Sequence, residues 1–185
     1  MKKGKIFIIS APSGTGKTTL VSKLISEMPN QLCRSVSCTT RPPRVGEKDG
    51  IDYYFLDDKQ FHKQYESGEF LETAHIYGYM YGTLRRTVED LQNQGKDVLL
   101  VIDVQGSEKL RDVIEAVYIF ICPPSTEELE KRIRGRKKDS SEMIDKRLAR
   151  ARDEMKKRFD YDHVITNDKV EVAVEELKQI IKEQQ

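Results

Sequence analysis

The sequence predicts an α/β protein: a parallel-sheet core flanked by helices, with a small mixed α/β lobe inserted into it and a helical lid. Three observations carry that expectation. The apolar run Ile6-Phe7-Ile8-Ile9 leads into Ala11-Pro12-Ser13-Gly14-Thr15-Gly16-Lys17-Thr18, and a helical apolar pattern opens directly after it. Two more apolar runs, Val98-Leu99-Leu100-Val101-Ile102 and Tyr118-Ile119-Phe120-Ile121-Cys122, each follow a helical stretch. That alternation builds parallel sheets whose strands are buried on both faces. Residues 38–83 break the pattern with prolines, glycines and tyrosines.

Taken in order, residues 5–10 read as a buried strand. Residues 17–28 read as a helix, because Leu20, Val21, Leu24, Ile25 and Met28 share one face at helical spacing. Pro29-Asn30 ends it. A short strand follows near Leu32 to Ser37, giving a β-loop-α-β unit with a right-handed crossover. Thr39-Thr40-Arg41-Pro42-Pro43-Arg44 cannot be helix interior, and Gly46, Asp49 and Gly50 mark turns. Tyr53-Tyr54-Phe55-Leu56 is strand-like. Asp57 or Asp58 can cap a helix running to about Ser67, which Gly68 ends. Phe70 to Ala74 and Tyr79 to Thr83 read as strands around a turn at Gly78.

The core then resumes with a helix from Leu84 to Gln94, the strand Val98 to Ile102, a helix over 107–115 and the strand Tyr118 to Cys122. Ser125-Thr126-Glu127-Glu128 is a capping box opening a helix that stops near Gly135. Lys137-Lys138-Asp139-Ser140-Ser141 looks mobile, and a second charged helix runs from about Glu142 to Lys157. Two basic helices joined by a polar loop suggest a lid. A strand at His163 to Thr166, the loop Asn167-Asp168 and a helix with Val170, Val174, Leu177 and Ile181 inward close the chain. The divisions are a core of 1–37, 84–124 and 159–185, a lobe of 38–83 and a lid region of 125–158.

The 185 residues suit one domain, and the net charge of +1 argues against a general nucleic-acid binder. No apolar run approaches the ~20 residues of a membrane helix. Met1-Lys2-Lys3 before Ile6 to Ile9 superficially resembles a signal peptide, but the apolar part is too short. The 3 cysteines, Cys33, Cys38 and Cys122, form no Cys-x-x-Cys, and His62, His75 and His163 show no ligand spacing to them. Reduced cysteines in or near strands and a cytoplasmic location are the expectation.

The chemistry starts at residues 11–18. A strand, a glycine-rich turn and a helix form the setting of a phosphate-binding P-loop. Small residues let successive N–H groups point into one concavity, and the helix N-terminus adds partial positive charge. Lys17 can reach the β- and γ-phosphates, and the Thr18 hydroxyl suits Mg²⁺. The loop alone says nucleoside triphosphate and does not separate kinase from GTPase or ATPase. In the inserted lobe, Arg41 and Arg44, with the phenols of Tyr53 and Tyr81, could hold a second phosphate group. The plainer alternative is a solvated basic turn packed on tyrosines. Glu72 lies between Phe70, Leu71 and Ala74; it either points outward or reads a base. The guanine edge presents two adjacent donors that one carboxylate can accept, whereas adenine offers a lone pair there. Ser37, Glu72, Thr83 and Asp103 would form such a set if the fold brings them together.

The stretch Thr39-Thr40-Arg41-Pro42-Pro43-Arg44-Val45-Gly46-Glu47-Lys48-Asp49-Gly50-Ile51-Asp52-Tyr53-Tyr54-Phe55-Leu56 resembles the guanylate kinase signature at every constrained position. The P-loop, Phe70-Leu71-Glu72, Tyr81-Gly82-Thr83, Ile102-Asp103-Val104-Gln105-Gly106, Gly135-Arg136, Ile144-Asp145-Lys146-Arg147-Leu148 and Thr166-Asn167-Asp168 match in the same order, over about residues 4–183. The resemblance implies transfer of a phosphoryl group from ATP to GMP, with dGMP as a further acceptor and Mg²⁺ as cofactor. By position, Ser37, Glu72, Thr83 and Asp103 would read guanine. Arg41, Arg44, Tyr53 and Tyr81 would hold the GMP phosphate, with Glu47 orienting the arginines, and residues 38–83 would be the GMP-binding lobe. Ala11, Pro12, Ser13, Gly14, Thr15, Gly16, Lys17, Thr18 and Thr19 would hold ATP, with Asn167 near adenine. Lys17, Arg136 and Arg147 would act on the transferring group, and Thr18 would meet Mg²⁺ largely through waters and phosphates.

Two positions depart from the family pattern. Ala11 stands where glycine is more usual, and Val101 stands where many members carry a carboxylate, leaving Asp103 to act alone. ATP and GMP are the expected partners, with no nucleic acid, membrane or obligate protein partner. A non-catalytic guanylate-kinase-like interaction module is the competing class, and a related kinase acting on another phosphorylated acceptor is a third reading. The intact Gly16-Lys17-Thr18 speaks against the module, and Glu72, Thr83 and Asp103 speak against the other acceptor.

Overall fold

The computed structural model describes residues 2–135 and 140–185. Of the expected mobile loop Lys137 to Ser141, Lys137-Lys138-Asp139 lie outside the described residues, as does Arg136, while Ser140 and Ser141 are the N-cap and first residue of a helix. In chain order the elements are β1 (Ile6–Ser10), α1 (Lys17–Glu27), β2 (Leu32–Arg34), β3 (Cys38–Thr39), β4 (Tyr54–Phe55), α2 (Asp58–Glu66), β5 (Phe70–Ile76) and β6 (Tyr79–Leu84). They continue with α3 (Arg85–Asn93), β7 (Asp97–Val101), α4 (Val104–Leu110), β8 (Val117–Cys122), α5 (Thr126–Arg134), α6 (Ser141–Lys156), β9 (His163–Thr166) and α7 (Val170–Gln184). A five-stranded sheet has the order β2-β7-β1-β8-β9, and a separate four-stranded sheet has the order β4-β3-β6-β5. In the first, β2–β7, β1–β8 and β8–β9 pair in parallel. In the second, β3–β4 is parallel while β3–β6 and β5–β6 are antiparallel. The α/β class and the additional mixed sheet agree with the sequence expectation.

The chain divides into two compact units, Met1–Ile6 with Asn30–Ala116 and Phe7–Pro29 with Val117–Gln185. In the first unit the mixed sheet packs on α2 through Cys38, Phe61 and Phe70, flanked by Tyr54, Leu56, Met80 and Leu84. The Phe61 and Phe70 rings stack with centroids 4.6 Å apart. Each fully buried side chain of this size stabilises by about 1.5–3 kcal/mol. Asp57 and Gln60 form a reciprocal capping box that starts α2. Tyr77 (φ 49) and Gly78 (φ 86) turn the β5–β6 hairpin, two left-handed residues of the kind a tight hairpin favours. Along β5, Phe70, Glu72 and Ala74 share the buried face. A register shift between Phe70 and Glu72 sets Glu72 opposite Thr83.

Three departures from expectation fall in this unit. β2 stops at Arg34 and not near Ser37, and Cys38–Thr39 forms a separate strand, β3, in the mixed sheet. The helix after β7 spans Val104–Leu110 rather than 107–115, because the Asp103 side chain accepts from the Gly106 N–H and caps it.

Residues 7–10 of β1, which belong to the second unit, are all buried. Leu20, Val21 and Leu24 of α1 are buried, as are Ala173, Val174, Leu177 and Ile181 of α7. The α5–α6 pair has its own apolar centre, Leu129, Ile133, Leu148 and Ala151, with Ile144 packed against it. Ser125 and Ser140 cap these two helices. Among the described residues no helix is long and apolar enough to cross a membrane. Cys33, Cys38 and Cys122 are free thiols lying in strands, as expected, and burial pushes the Cys38 thiol up to about 12.

Candidate active site

In the second unit the loop between β1 and α1 makes its turn with two glycines in the left-handed region, Gly14 (φ 95) and Gly16 (φ 83). Gly16 is the N-cap of α1. Ala11, Pro12 and Thr15 are buried, Ser13, Gly14 and Lys17 are half-buried, and Gly16, Thr18 and Thr19 are exposed. The Ala11 methyl is therefore accommodated inside, only 4% exposed.

Hydrogen bonds hold the loop from within and from the far end of the chain. Thr15 Oγ1 donates to the Pro12 carbonyl at 2.9 Å. Asn167 Nδ2 donates to the Thr15 carbonyl at 2.7 Å, and the Asn167 N–H donates to the Cys122 carbonyl at 2.8 Å. A Cβ on Gly16 would stand 2.9 Å from Asn167 Nδ2, so a side chain at this left-handed position would press on the asparagine amide. Asn167 Oδ1 is buried and meets no hydrogen-bond partner among the described residues. The family resemblance implies a place for Asn167 near the adenine; its grip on the loop backbone is a finding of the structure. Arg147, on α6, brings Nη1 to 3.5 Å from Ser13 Oγ, a long contact. Arg136 lies outside the described residues.

In the first unit Glu72, Thr83 and Asp103, three of the four residues expected to read a base, lie near one another. Glu72 is 7% exposed and accepts at Oε1 from Thr83 Oγ1 at 2.7 Å. Asp103, half-buried at the start of α4, accepts at Oδ1 from the Gly106 N–H at 3.0 Å. Burial pushes the Glu72 carboxyl up to about 7; the Thr83 hydrogen bond opposes this and the Asp103 charge adds to it. Ser37 is buried, and its carbonyl accepts from the Tyr54 N–H at 2.9 Å.

The basic cluster of the same unit is built around Tyr53. Arg41 is 8% exposed, and its Nη2 donates to both Glu47 oxygens at 2.9 Å while Nη1 donates to the Pro42 carbonyl. Glu47 Oε2 also accepts from the Arg44 N–H at 2.7 Å, and the Arg44 residue is exposed. One carboxylate thus fixes the backbone and side-chain fork of the proline-rich turn. The Arg41 guanidinium lies 5.5 Å from the Tyr53 ring centroid, and Tyr53 meets Tyr81 edge-on at 5.9 Å. Arg34 was missed from the sequence. Its guanidinium lies 5.9 Å from the Tyr53 ring and donates to the Asp52 carbonyl at 2.7 Å. No motif flags it: it is one basic residue at the end of a short strand.

The strand–loop–helix of the second unit, set in a parallel sheet, defines a P-loop nucleotide-binding α/β protein. A family model described as "Guanylate kinase" matches residues 3–184. The sequence is 46% identical over 181 residues to a guanylate kinase of Geobacter metallireducens, covering 97% of this chain and 89% of that one. It is also 46% identical over 180 residues to a guanylate kinase of Protochlamydia amoebophila, covering 97% of this chain and 91% of that one. The crystal structure of guanylate kinase from Anaplasma phagocytophilum is similar at TM-score 0.83 and 35% identity, covering 100% of this chain and 88% of that one. The chain belongs to the guanylate kinase family.

Proposed function

We infer that this chain transfers the γ-phosphoryl group of ATP to GMP, releasing ADP and GDP, and that dGMP serves as a second acceptor. The observation that carries the reading is the buried Glu72 carboxylate, held by Thr83 in the same unit as Asp103. A buried carboxylate is costly unless donors meet it, and the guanine edge supplies two adjacent N–H donors. Ser37 completes that set. Arg41, Arg44, Tyr53 and Tyr81 bind the GMP phosphate, with Glu47 holding the arginine fork.

Residues 11–19 take the ATP phosphates on the backbone N–H groups of the loop, and Asn167 lies by the adenine. Lys17 neutralises charge on the β- and γ-phosphates. The donor set suits Mg²⁺. Thr18 offers one exposed hydroxyl, and among the described residues no cluster of His, Cys, Asp and Glu would cage a metal. Magnesium accepts such a site because it draws most of its ligands from phosphates and water. When bound, it supplies charge neutralisation along the triphosphate.

In the transfer a GMP phosphate oxygen forms a bond to the γ-phosphorus as the bond to the ADP oxygen breaks, in line. The attacking oxygen is already anionic near neutral pH, so no general base is required. The protein contributes positioning and charge: Lys17 from the loop, and Arg147 and Arg136 from the helical region. Val101 supplies no second acid, so Asp103 serves the acceptor alone. Supply of guanine nucleotides in the cytoplasm is the matching role.

The test is product identification after mixing the chain with ATP, Mg²⁺ and GMP. ADP and GDP formed in equal amounts support the reading. Bound but unchanged nucleotides would point instead to a non-catalytic module of the same fold.

A further inference from the structure

Helix α4 meets the Glu72 carboxylate at one residue. A Cβ built on Gly106 would stand 2.5 Å from Glu72 Oε2, 3.1 Å from Glu72 Cδ and 3.3 Å from Asp103 Oδ1. Carbon and oxygen do not normally approach closer than about 3.3 Å. A side chain at 106 and the carboxylate in its present position exclude one another. The Gly106 N–H meanwhile donates to Asp103 Oδ1 at 3.0 Å. One glycine thus contacts both acids, Asp103 through its amide and Glu72 through the space its missing side chain leaves.

We infer that Gly106 is a specificity-determining positioning residue: its bare Cα sets how closely the Glu72 carboxylate sits to α4, and so fixes the guanine-reading geometry. The inference rests on the reading of Glu72 and Asp103 as guanine-edge groups.

The backbone itself does not require glycine here. Gly106 is absent from the positive-φ glycines and lies in the first turn of α4. In a helix alanine is favoured over glycine by about 1 kcal/mol. Nor can α4 easily withdraw. Leu110 and Val104 are buried, and Lys109 Nζ donates to the Thr73 carbonyl on β5 at 2.5 Å. What can move is the end of the Glu72 side chain, at the expense of its hydrogen bond from Thr83. A methyl at 106 therefore falls on recognition and leaves folding largely untouched.

The experiment is steady-state kinetics of Gly106→Ala with GMP and with IMP, which lacks the exocyclic amine, together with an ATP titration and a thermal melt. The expected result is a GMP KM raised about tenfold or more and a GMP-over-IMP preference reduced by a similar factor, the scale of one disturbed hydrogen bond to a charged group. The ATP KM stays within about twofold, and the Tm does not fall. Glu72→Asp withdraws the carboxylate by one methylene, so in that background Gly106→Ala has at most a marginal further effect on the preference. An unchanged GMP KM and preference in Gly106→Ala overturns the inference. So does an equal effect of Gly106→Ala in the Glu72→Asp background, or a parallel loss of ATP affinity and Tm, because the glycine then acts on the fold and not through Glu72. If Glu72→Asp alone leaves the GMP-over-IMP preference at the wild-type value, the base-reading assignment of Glu72 is what fails.

Discussion

Asn167 and Thr15 stand 152 residues apart in sequence, and the Asn167 side-chain amide donates to the Thr15 carbonyl at 2.7 Å. The bond ties the loop between β1 and α1 to the residue that follows β9. Asn167→Ala removes the bond and leaves a buried carbonyl without it. Such a loss is on the order of 1–3 kcal/mol. The expected outcome is an ATP KM raised about tenfold with a GMP KM within about twofold of wild type, and a Tm lower by several degrees. Separate titrations of the two nucleotides check it. A normal ATP KM in this variant would remove Asn167 from the donor site.

Glu47 binds the Arg41 guanidinium with both oxygens and the Arg44 N–H with one of them. The Arg41 and Glu47 side chains are only 9% and 19% exposed. Glu47→Ala leaves a mostly buried guanidinium without its partner, and removing one member of such a pair costs about 2–3 kcal/mol or more. The GMP KM is expected to rise by at least about tenfold while the ATP KM holds. Glu47→Gln, which keeps one acceptor, should fall between. A GMP KM indifferent to both changes would show that the arginines do not depend on Glu47 for their placement.

Glu72 links recognition to pH. Its carboxyl is pushed from 4.5 to about 7 in the fold, mainly by burial, with Asp103 adding and Thr83 and Lys109 opposing. A raised folded-state value means the fold prefers the protonated form. The contribution of this group to stability is therefore fully present below pH 4.5 and is lost as pH rises through about 7, by roughly 3 kcal/mol at most. Glu72→Gln keeps the shape and removes the charge. It should melt above wild type at pH 8, with the difference closing as pH falls toward 5, yet use GMP much less well because an amide accepts only one of the two guanine bonds. On the proposed base-reading role GMP binds the ionised carboxylate, so the wild-type GMP KM is expected to rise from pH 8 to 6 more steeply than that of Glu72→Gln. Equal melting temperatures at pH 8 would contradict the buried charge.

The sequence made the local features readable. The strand–loop–helix at residues 6–27 is written in consecutive residues, and the capping signals at Asp57 and Ser125 lie within one turn of their helices. Glu72 was ambiguous because Leu71 and Ala74 are both apolar, so alternation along the strand did not reveal which face is inward. The face that carries Phe70, Glu72 and Ala74 is the buried one, and what packs on it is not recorded in sequence spacing. The sequence pattern starts α4 three residues late for a related reason. Gly106 looks like a break in a helical pattern, yet in the fold it is a helical residue whose missing side chain makes room for a carboxylate from another strand. Arg34 and the grip of Asn167 on Thr15 are contacts between distant segments, and no periodicity or motif announces them.

The most direct measurement is the initial rate of ADP formation from ATP and Mg²⁺ with GMP, dGMP, AMP or no acceptor, repeated with Lys17→Ala. The expected result is rapid turnover with GMP and dGMP. AMP should be slower by at least about a hundredfold, because a site built for guanine hydrogen bonds leaves buried groups unpaired with the wrong base. Without acceptor the rate falls to background, and Lys17→Ala lowers the GMP rate by about 100–1000-fold. ADP formation that is no faster with GMP than without it, or equally fast with AMP, would contradict the assignment.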